Sequence, residues 1–165
     1  MKFFTREWQE EYSVTKTEEE RAAHKERTNK LFAEYRKQFE AVKSRVSMMF
    51  WSNYNKNGGF HDAEVRKICV ERRKGKNLPR ANVIIILEQY GVLYQIKYQT
   101  VSKINYDVDF LTPDCNWPMN GHFDLWMYDE FCVIDSEYIN HDISFLSGGE
   151  ISITFKRISV KKLLD

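Results

Sequence analysis

The sequence predicts an α+β fold, with N-terminal helices packed on a curved antiparallel sheet of about six strands. Three observations predict it. Apolar residues recur every three or four positions up to Met49. After Gly59 the rhythm changes to two, the period of a strand. Glycine-bearing turns then separate apolar runs at hairpin spacing.

The chain has 165 residues, the size of one domain, with a helical part over 1–57 and a sheet part over 58–165. Hydrophobic residues make up 42% and aromatics 15%, enough for a core without staples. Only 3 prolines and 7 glycines leave little material for a linker between two domains.

Phe4, Trp8 and Tyr12 fall four apart, on one face of a short helix over 5–13. Thr17 and Glu20 have the spacing of a capping box, in which the hydroxyl takes a free backbone N–H and the carboxylate reaches back. A helix running from 18 to 50 is expected to follow. Phe32, Tyr35, Phe39, Val42, Val46 and Met49 draw one apolar stripe along its second half, too wide to face water. Its first half has almost no apolar face, as in a solvated extension or a contact arm. The stripe spans fewer than three heptads, so packing on the sheet is expected over a coiled coil. Asn57-Gly58-Gly59 ends the helical part.

Strands are expected at 62–73, where broken alternation suggests a bulge, and at 82–89, 92–99, 101–110, 129–135, 139–146 and 150–158. A two-residue loop at Tyr90-Gly91 pairs Leu87 with Tyr94, Ile85 with Ile96 and Val83 with Tyr98. Tyrosine suits a primed turn poorly, which leaves the turn type open. A three-residue loop, Ser147-Gly148-Gly149, pairs Phe145 with Ile151, Ile143 with Ile153 and His141 with Phe155. Residues 111–127 hold Pro113, Pro118 and Gly121 and read as a long loop.

The net charge of +1 favours neither nucleic acid nor an anionic membrane, and no apolar run is long enough for a membrane span. The first residues turn polar at once, unlike a signal peptide, so a cytoplasmic protein is expected. Cys69, Cys115 and Cys132 are odd in number and far apart, with no zinc spacing. Two blocks of opposite charge hide within the near-neutral sum. Residues 104–155 hold ten Asp or Glu and no Lys or Arg, while 66–80 hold seven Lys or Arg and one Glu. The basic run Arg72-Arg73-Lys74-Gly75-Lys76 has no interleaved aromatics and reads as a solvated turn.

Four segments are distinctive in combination: Met1-Lys2-Phe3-Phe4-Thr5-Arg6-Glu7, Phe60-His61-Asp62-Ala63-Glu64-Val65, Trp126-Met127-Tyr128-Asp129-Glu130-Phe131, and His141-Asp142-Ile143-Ser144-Phe145-Leu146-Ser147-Gly148-Gly149-Glu150-Ile151. In this order, over nearly the whole length, they resemble the bacterial family called domain of unknown function 4085. The resemblance implies a small bacterial cytosolic protein and carries no catalytic residues.

His61-Asp62 and His141-Asp142 are the candidate metal ligands, since imidazole and carboxylate suit zinc or iron. Neighbours on a strand point to opposite faces, so neither pair chelates one ion alone. His141 shares the apolar face of Ile143 and Phe145, where a histidine is more often buried and hydrogen-bonded. Asp129 and Glu130 beside Trp126 and Tyr128 suit a cation or a sugar; the plainer reading has the aromatics pack and the carboxylates cap or face water. Trp117, Phe123 and Trp126 suit a contact surface or core packing. Phosphate-loop, dinucleotide, serine-hydrolase and zinc-protease motifs are absent.

These readings predict a non-catalytic interaction protein with no cofactor. Its acidic surface, including Trp117, Trp126, Asp129 and Glu130, would meet a basic protein, in the manner of an immunity protein. The alternative is a metal-dependent enzyme using His61, Asp62, His141 and Asp142. A third reading is a small-ligand module around the aromatic loop.

Overall fold

A computed structural model describes residues 1–5, 7–8, 10–11, 17–73, 80–107 and 124–163. It is an α+β chain whose helices precede one antiparallel sheet. Residues 7, 8, 10 and 11 are helical, within the short helix expected over 5–13.

Helix α1 spans Glu18–Lys43, about 39 Å at 1.5 Å per residue. Its capping box is present: the Thr17 hydroxyl accepts from the Glu20 N–H at 3.1 Å, and Glu20 accepts from the Thr17 N–H at 3.0 Å. The expected single helix to residue 50 is interrupted. The N–H of Ser44 returns to Glu40, and the Ser47 hydroxyl caps a new helix, α2 over Met48–Lys56, by accepting from the Phe50 N–H. Serine competes for backbone groups in this way and so divides helices. The break reassigns the stripe: Val42, Val46, Phe50 and Trp51 are buried, and Met49 is 69% exposed. The indole N–H of Trp51 donates to the Lys43 carbonyl at 3.2 Å and ties the two helices across the break.

Among the described residues the sheet has eight strands, where about six were expected: β1 Ala63–Arg73, β2 Arg80–Gln89, β3 Val92–Val101, β4 Lys103–Asp107, β5 Leu125–Val133, β6 Ile139–Phe145, β7 Glu150–Phe155 and β8 Arg157–Lys162. Their order is β4-β7-β6-β5-β1-β2-β3-β8. Only Ser102 parts β3 from β4, and only Lys156 parts β7 from β8. Because β4 pairs with β7 while β3 pairs with β8, one pair of chain segments forms both ends of the order. The sheet therefore closes on itself, which leaves no long open edge. Thr100, at φ +54°, is the extra residue where the β2–β3 register shifts. A bulge of this kind bends a strand, and here it lies where β3 gives way to β4.

The β2–β3 register is the expected one, with Leu87 opposite Tyr94, Ile85 opposite Ile96 and Val83 opposite Tyr98. Tyr90 and Gly91 both have positive φ, +52° and +73°, the pattern of a type I′ turn. The bulge expected in β1 lies between Val65 and Lys67. The last hairpin differs by two residues. Ile143 faces Ile151, His141 faces Ile153 and Ile139 faces Phe155. The three-residue loop is Leu146-Ser147-Gly148, closed by the Phe145 N–H donating to the Gly149 carbonyl at 2.9 Å. A shift of two keeps the same side chains inside, so the apolar pattern alone does not separate the two registers.

Strand β5 begins at Leu125, inside the segment expected to be a loop over 111–127. Its register to β6 shifts between Trp126 and Tyr128, leaving Met127 as a bulge. Ile85, Ile96, Tyr98, Trp126, Phe131, Ile143, Ile153 and Phe155 fill the core. From the helical part, the Phe131 N–H donates to the Tyr35 hydroxyl at 3.0 Å, and the rings of Phe50 and Trp51 meet Phe131 edge-on. Among the described residues no helix is long and apolar enough to cross a membrane.

Candidate functional site

The site is built around β5. A strand alternates its side chains, so Asp129 and Phe131 share one face and Glu130 takes the other. These two adjacent carboxylates meet different surroundings and do different work.

Asp129 reaches a buried chain of polar groups. Its Oδ2 lies 2.6 Å from His141 Nε2, and the Tyr54 hydroxyl lies 2.7 Å from both of its oxygens. The Tyr98 hydroxyl lies 2.8 Å from His141 Nδ1. A carboxylate only accepts, so Nε2 carries a proton and donates to it. The Tyr98 hydroxyl pairs with Nδ1, so each imidazole nitrogen is a partner in one bond. Tyr98 and His141 are fully buried. The His141 ring lies flat on Phe131, with centroids 3.7 Å apart and 13° between planes. Burial holds the phenols of Tyr54 and Tyr98 well above their usual range, and the nearby Asp129 carboxylate adds to this. Tyr35 is raised by the same two causes.

Glu130 is fully buried and holds the N-terminal residues. Its carboxylate accepts from the Lys2, Phe3 and Phe4 N–H groups, at 2.7 Å for Phe3 and 3.1 Å for Phe4. The Met1 ammonium lies 3.4 Å from Glu150. Burial works against that ammonium's charge, but the carboxylates of Asp142, Glu150 and Glu130 hold its pKa above the usual value. Burial pushes the Cys132 thiol up to about 11, with Glu130 and Asp142 contributing.

Glu130 thereby sets Phe4 and Trp8 along α1. The Trp8 indole N–H donates to the Thr28 hydroxyl at 3.2 Å, and Phe4 packs edge-on against Tyr35. These contacts make the first half of α1 a contact arm. Between the N-terminal residues, the second half of α1 and the sheet lies a cavity of about 470 Å³. Phe4 and Trp8 form one wall, and Phe32, Tyr35 and Phe39 of α1 a second. Tyr54 and Asp129 stand behind them, with Met127, Tyr128, Gly58 and Gly59 alongside. Arg36 and His61 complete the lining; Arg36 is exposed, and the His61 side chain is 42% exposed. Gly59 sits at φ +71°, where a Cβ would come within 3.1 Å of the Tyr54 hydroxyl, so glycine there keeps Tyr54 in place.

The expected metal ligands do not form a metal site. His61 Nδ1 meets Asp62 at 3.0 Å on the surface, while His141 is inside the closed sheet. Asp142 accepts from the Asn140 side chain instead. Both nitrogens of His141 are occupied, and among the described residues no three His, Cys, Asp or Glu side chains are grouped to hold a metal.

The expected partner surface also changes. Trp126 and Glu130 are fully enclosed and the Asp129 side chain is 9% exposed, so none of the three forms an outer contact face. Asp124 is buried as well, and Glu137 pairs with Lys156 at 2.6 Å. The described carboxylates of the acidic block therefore do not all stand together on one surface. Trp117, Phe123, Cys115 and Lys74-Gly75-Lys76 lie outside the described residues.

Asp129 is marked by the sequence, whereas its neighbours Tyr54, Tyr98 and Tyr35 carry no sequence signal that joins them to it. The face shared by Tyr94, Ile96 and Tyr98 was visible as a period of two, which marks burial and gives no polar partner. No family model matches the chain, and no curated protein matches it.

Proposed function

We propose that this chain is a non-catalytic binding protein whose binding centre is the aromatic cavity closed by Asp129. The observation that carries the reading is a cavity of about 470 Å³ walled by aromatic rings with a few convergent polar groups. Cavities of roughly 300–1,000 Å³ with that lining are typical small-molecule sites.

Catalysis is disfavoured by the same geometry. A tyrosine, histidine and aspartate in hydrogen-bonded series resemble the relay of a nucleophilic enzyme. Here the tyrosine hydroxyl that would be the nucleophile is fully enclosed, and substrate has no access to it. A metal-dependent reaction through His141 would first have to break its bonds to Tyr98 and Asp129.

The reading takes the helical part as the cover of one face of the curved sheet. It places the protein in a bacterial cytoplasm, which suits free Cys69 and Cys132. Membership of the domain of unknown function 4085 family is part of the proposal and rests on the four segments quoted above. Binding of a basic protein is the second reading. It is weakened because Asp124, Asp129 and Glu130 of the acidic block are turned inward.

A thermal-shift screen of small organic compounds tests the primary reading. One-to-one stabilising hits that disappear in Trp8→Ala are expected. A screen without hits, or with hits indifferent to that substitution, contradicts the reading.

A further inference from the structure

Deepening the binding-protein reading above, on which it rests, we infer that the cavity takes an organic cation, a protonated amine carried on an apolar body, with Asp129 as its counter-ion. Three observations on the walls and floor of the cavity converge on this ligand class.

The first is the floor. The Asp129 side chain is 9% exposed and lines the cavity. Its partners are a tyrosine hydroxyl and an imidazole, and among the described residues no lysine or arginine lies within ion-pair distance of it. A carboxylate sunk among rings, held by a hydroxyl and an imidazole with no permanent cation beside it, favours a positive ligand that brings its own charge. Each carboxylate oxygen accepts more than one bond, so Oδ1, engaged among the described residues by Tyr54 alone, retains room for a ligand N–H.

The second is the wall. Trp8, Phe32, Phe39, Tyr54 and Tyr128 surround the space. Aromatic faces are electron-rich and attract an organic cation, with tryptophan strongest. Rings do not ligate hard metal ions, and among the described residues no three metal-ligating side chains are grouped. The combination of rings and one carboxylate selects a soft, carbon-bearing cation over an inorganic one.

The third is the placement of positive charge. Arg36, the permanent cation of the lining, is exposed rather than paired with Asp129, so its field at the floor is screened by solvent.

Calorimetric titration of the full chain with phenethylamine, phenethyl alcohol and phenylacetate decides the matter, since these probes share a ring and differ in charge. The amine is expected to bind about tenfold or more tightly than the alcohol, the scale of one charge-assisted hydrogen bond, and phenylacetate weakest. In Asp129→Asn the preference for amine over alcohol is expected to fall to about twofold or less. Alcohol or phenylacetate binding as tightly as the amine overturns the cation assignment and leaves the cavity reading standing. Absence of saturable binding by all three also overturns it, and the screen with Trp8→Ala then decides the cavity reading separately. The wild-type comparison decides by itself if the aspartate variant fails to fold.

Discussion

Tyr54 and Asp129, 75 residues apart in the chain, are joined at 2.7 Å through both carboxylate oxygens, so α2 is fixed to β5 at the floor of the cavity. This contact links the fold to the site. It also makes the first prediction. Tyr54→Phe removes one donor from a buried carboxylate and should cost about 1.5–3 kcal/mol in urea unfolding. Combined with Asp129→Asn, the two changes should be non-additive, since each removes the same interaction. Strict additivity would mean that the hydroxyl and the carboxylate do not interact.

Alkaline stability follows from the tyrosines. In the unfolded chain a phenol ionises near pH 10. Folded Tyr35, Tyr54 and Tyr98 keep their protons to higher pH, because burial and Asp129 disfavour the phenolate. Above pH 10 the folded state therefore binds more protons than the unfolded one, and stability falls as pH rises. Each tyrosine contributes a slope of about 1.4 kcal/mol per pH unit. Denaturation midpoints above pH 10 should fall less steeply in Tyr54→Phe than in the wild type. An equal fall in both would place Tyr54 in water.

Glu130 makes a prediction that separates it from its neighbour. Glu130→Gln leaves three N–H groups of residues 2–4 facing a weaker acceptor and should cost about 3 kcal/mol. It should also free the N-terminal arm, read as faster proteolysis near Phe4 and Trp8. Glu137→Gln, whose partner Lys156 is on the surface, should leave stability unchanged within error.

The turn at Tyr90 offers a stabilising change. Tyr90 is 91% exposed and held at φ +52°, a left-handed conformation costly for its side chain. Tyr90→Asn creates the Asn-Gly pair that suits a type I′ turn and should add about 1 kcal/mol. A loss of stability would show that the tyrosine ring makes a contact that offsets its strain.

Much of this architecture was legible because periodicity reports burial. The Val83-Ile85-Leu87 face and its partners Tyr98-Ile96-Tyr94 were fixed by alternation and a two-residue loop. The last hairpin was misplaced by two because a shift of two preserves every inward residue. The helix break at Ser44–Ser47 was hidden because its signal is a serine hydroxyl choosing a cap, while the apolar stripe ran on through it. Closure of the sheet was invisible for a different reason: it depends on β3 pairing with β8, more than 55 residues away, and no local pattern records that pairing. The site was half legible. His141 stood out as a histidine on an apolar face, but its partners Asp129 and Tyr98, and Tyr54 beyond Asp129, come from three other elements and converge only in the folded chain.

The most direct measurement is amide chemical-shift mapping of isotope-labelled protein titrated with phenethylamine. The account predicts saturable shifts confined to Gly58, Gly59, Met127, Tyr128 and Asp129. Shifts scattered over the surface, or centred on the Asp135–Tyr138 turn, would contradict it.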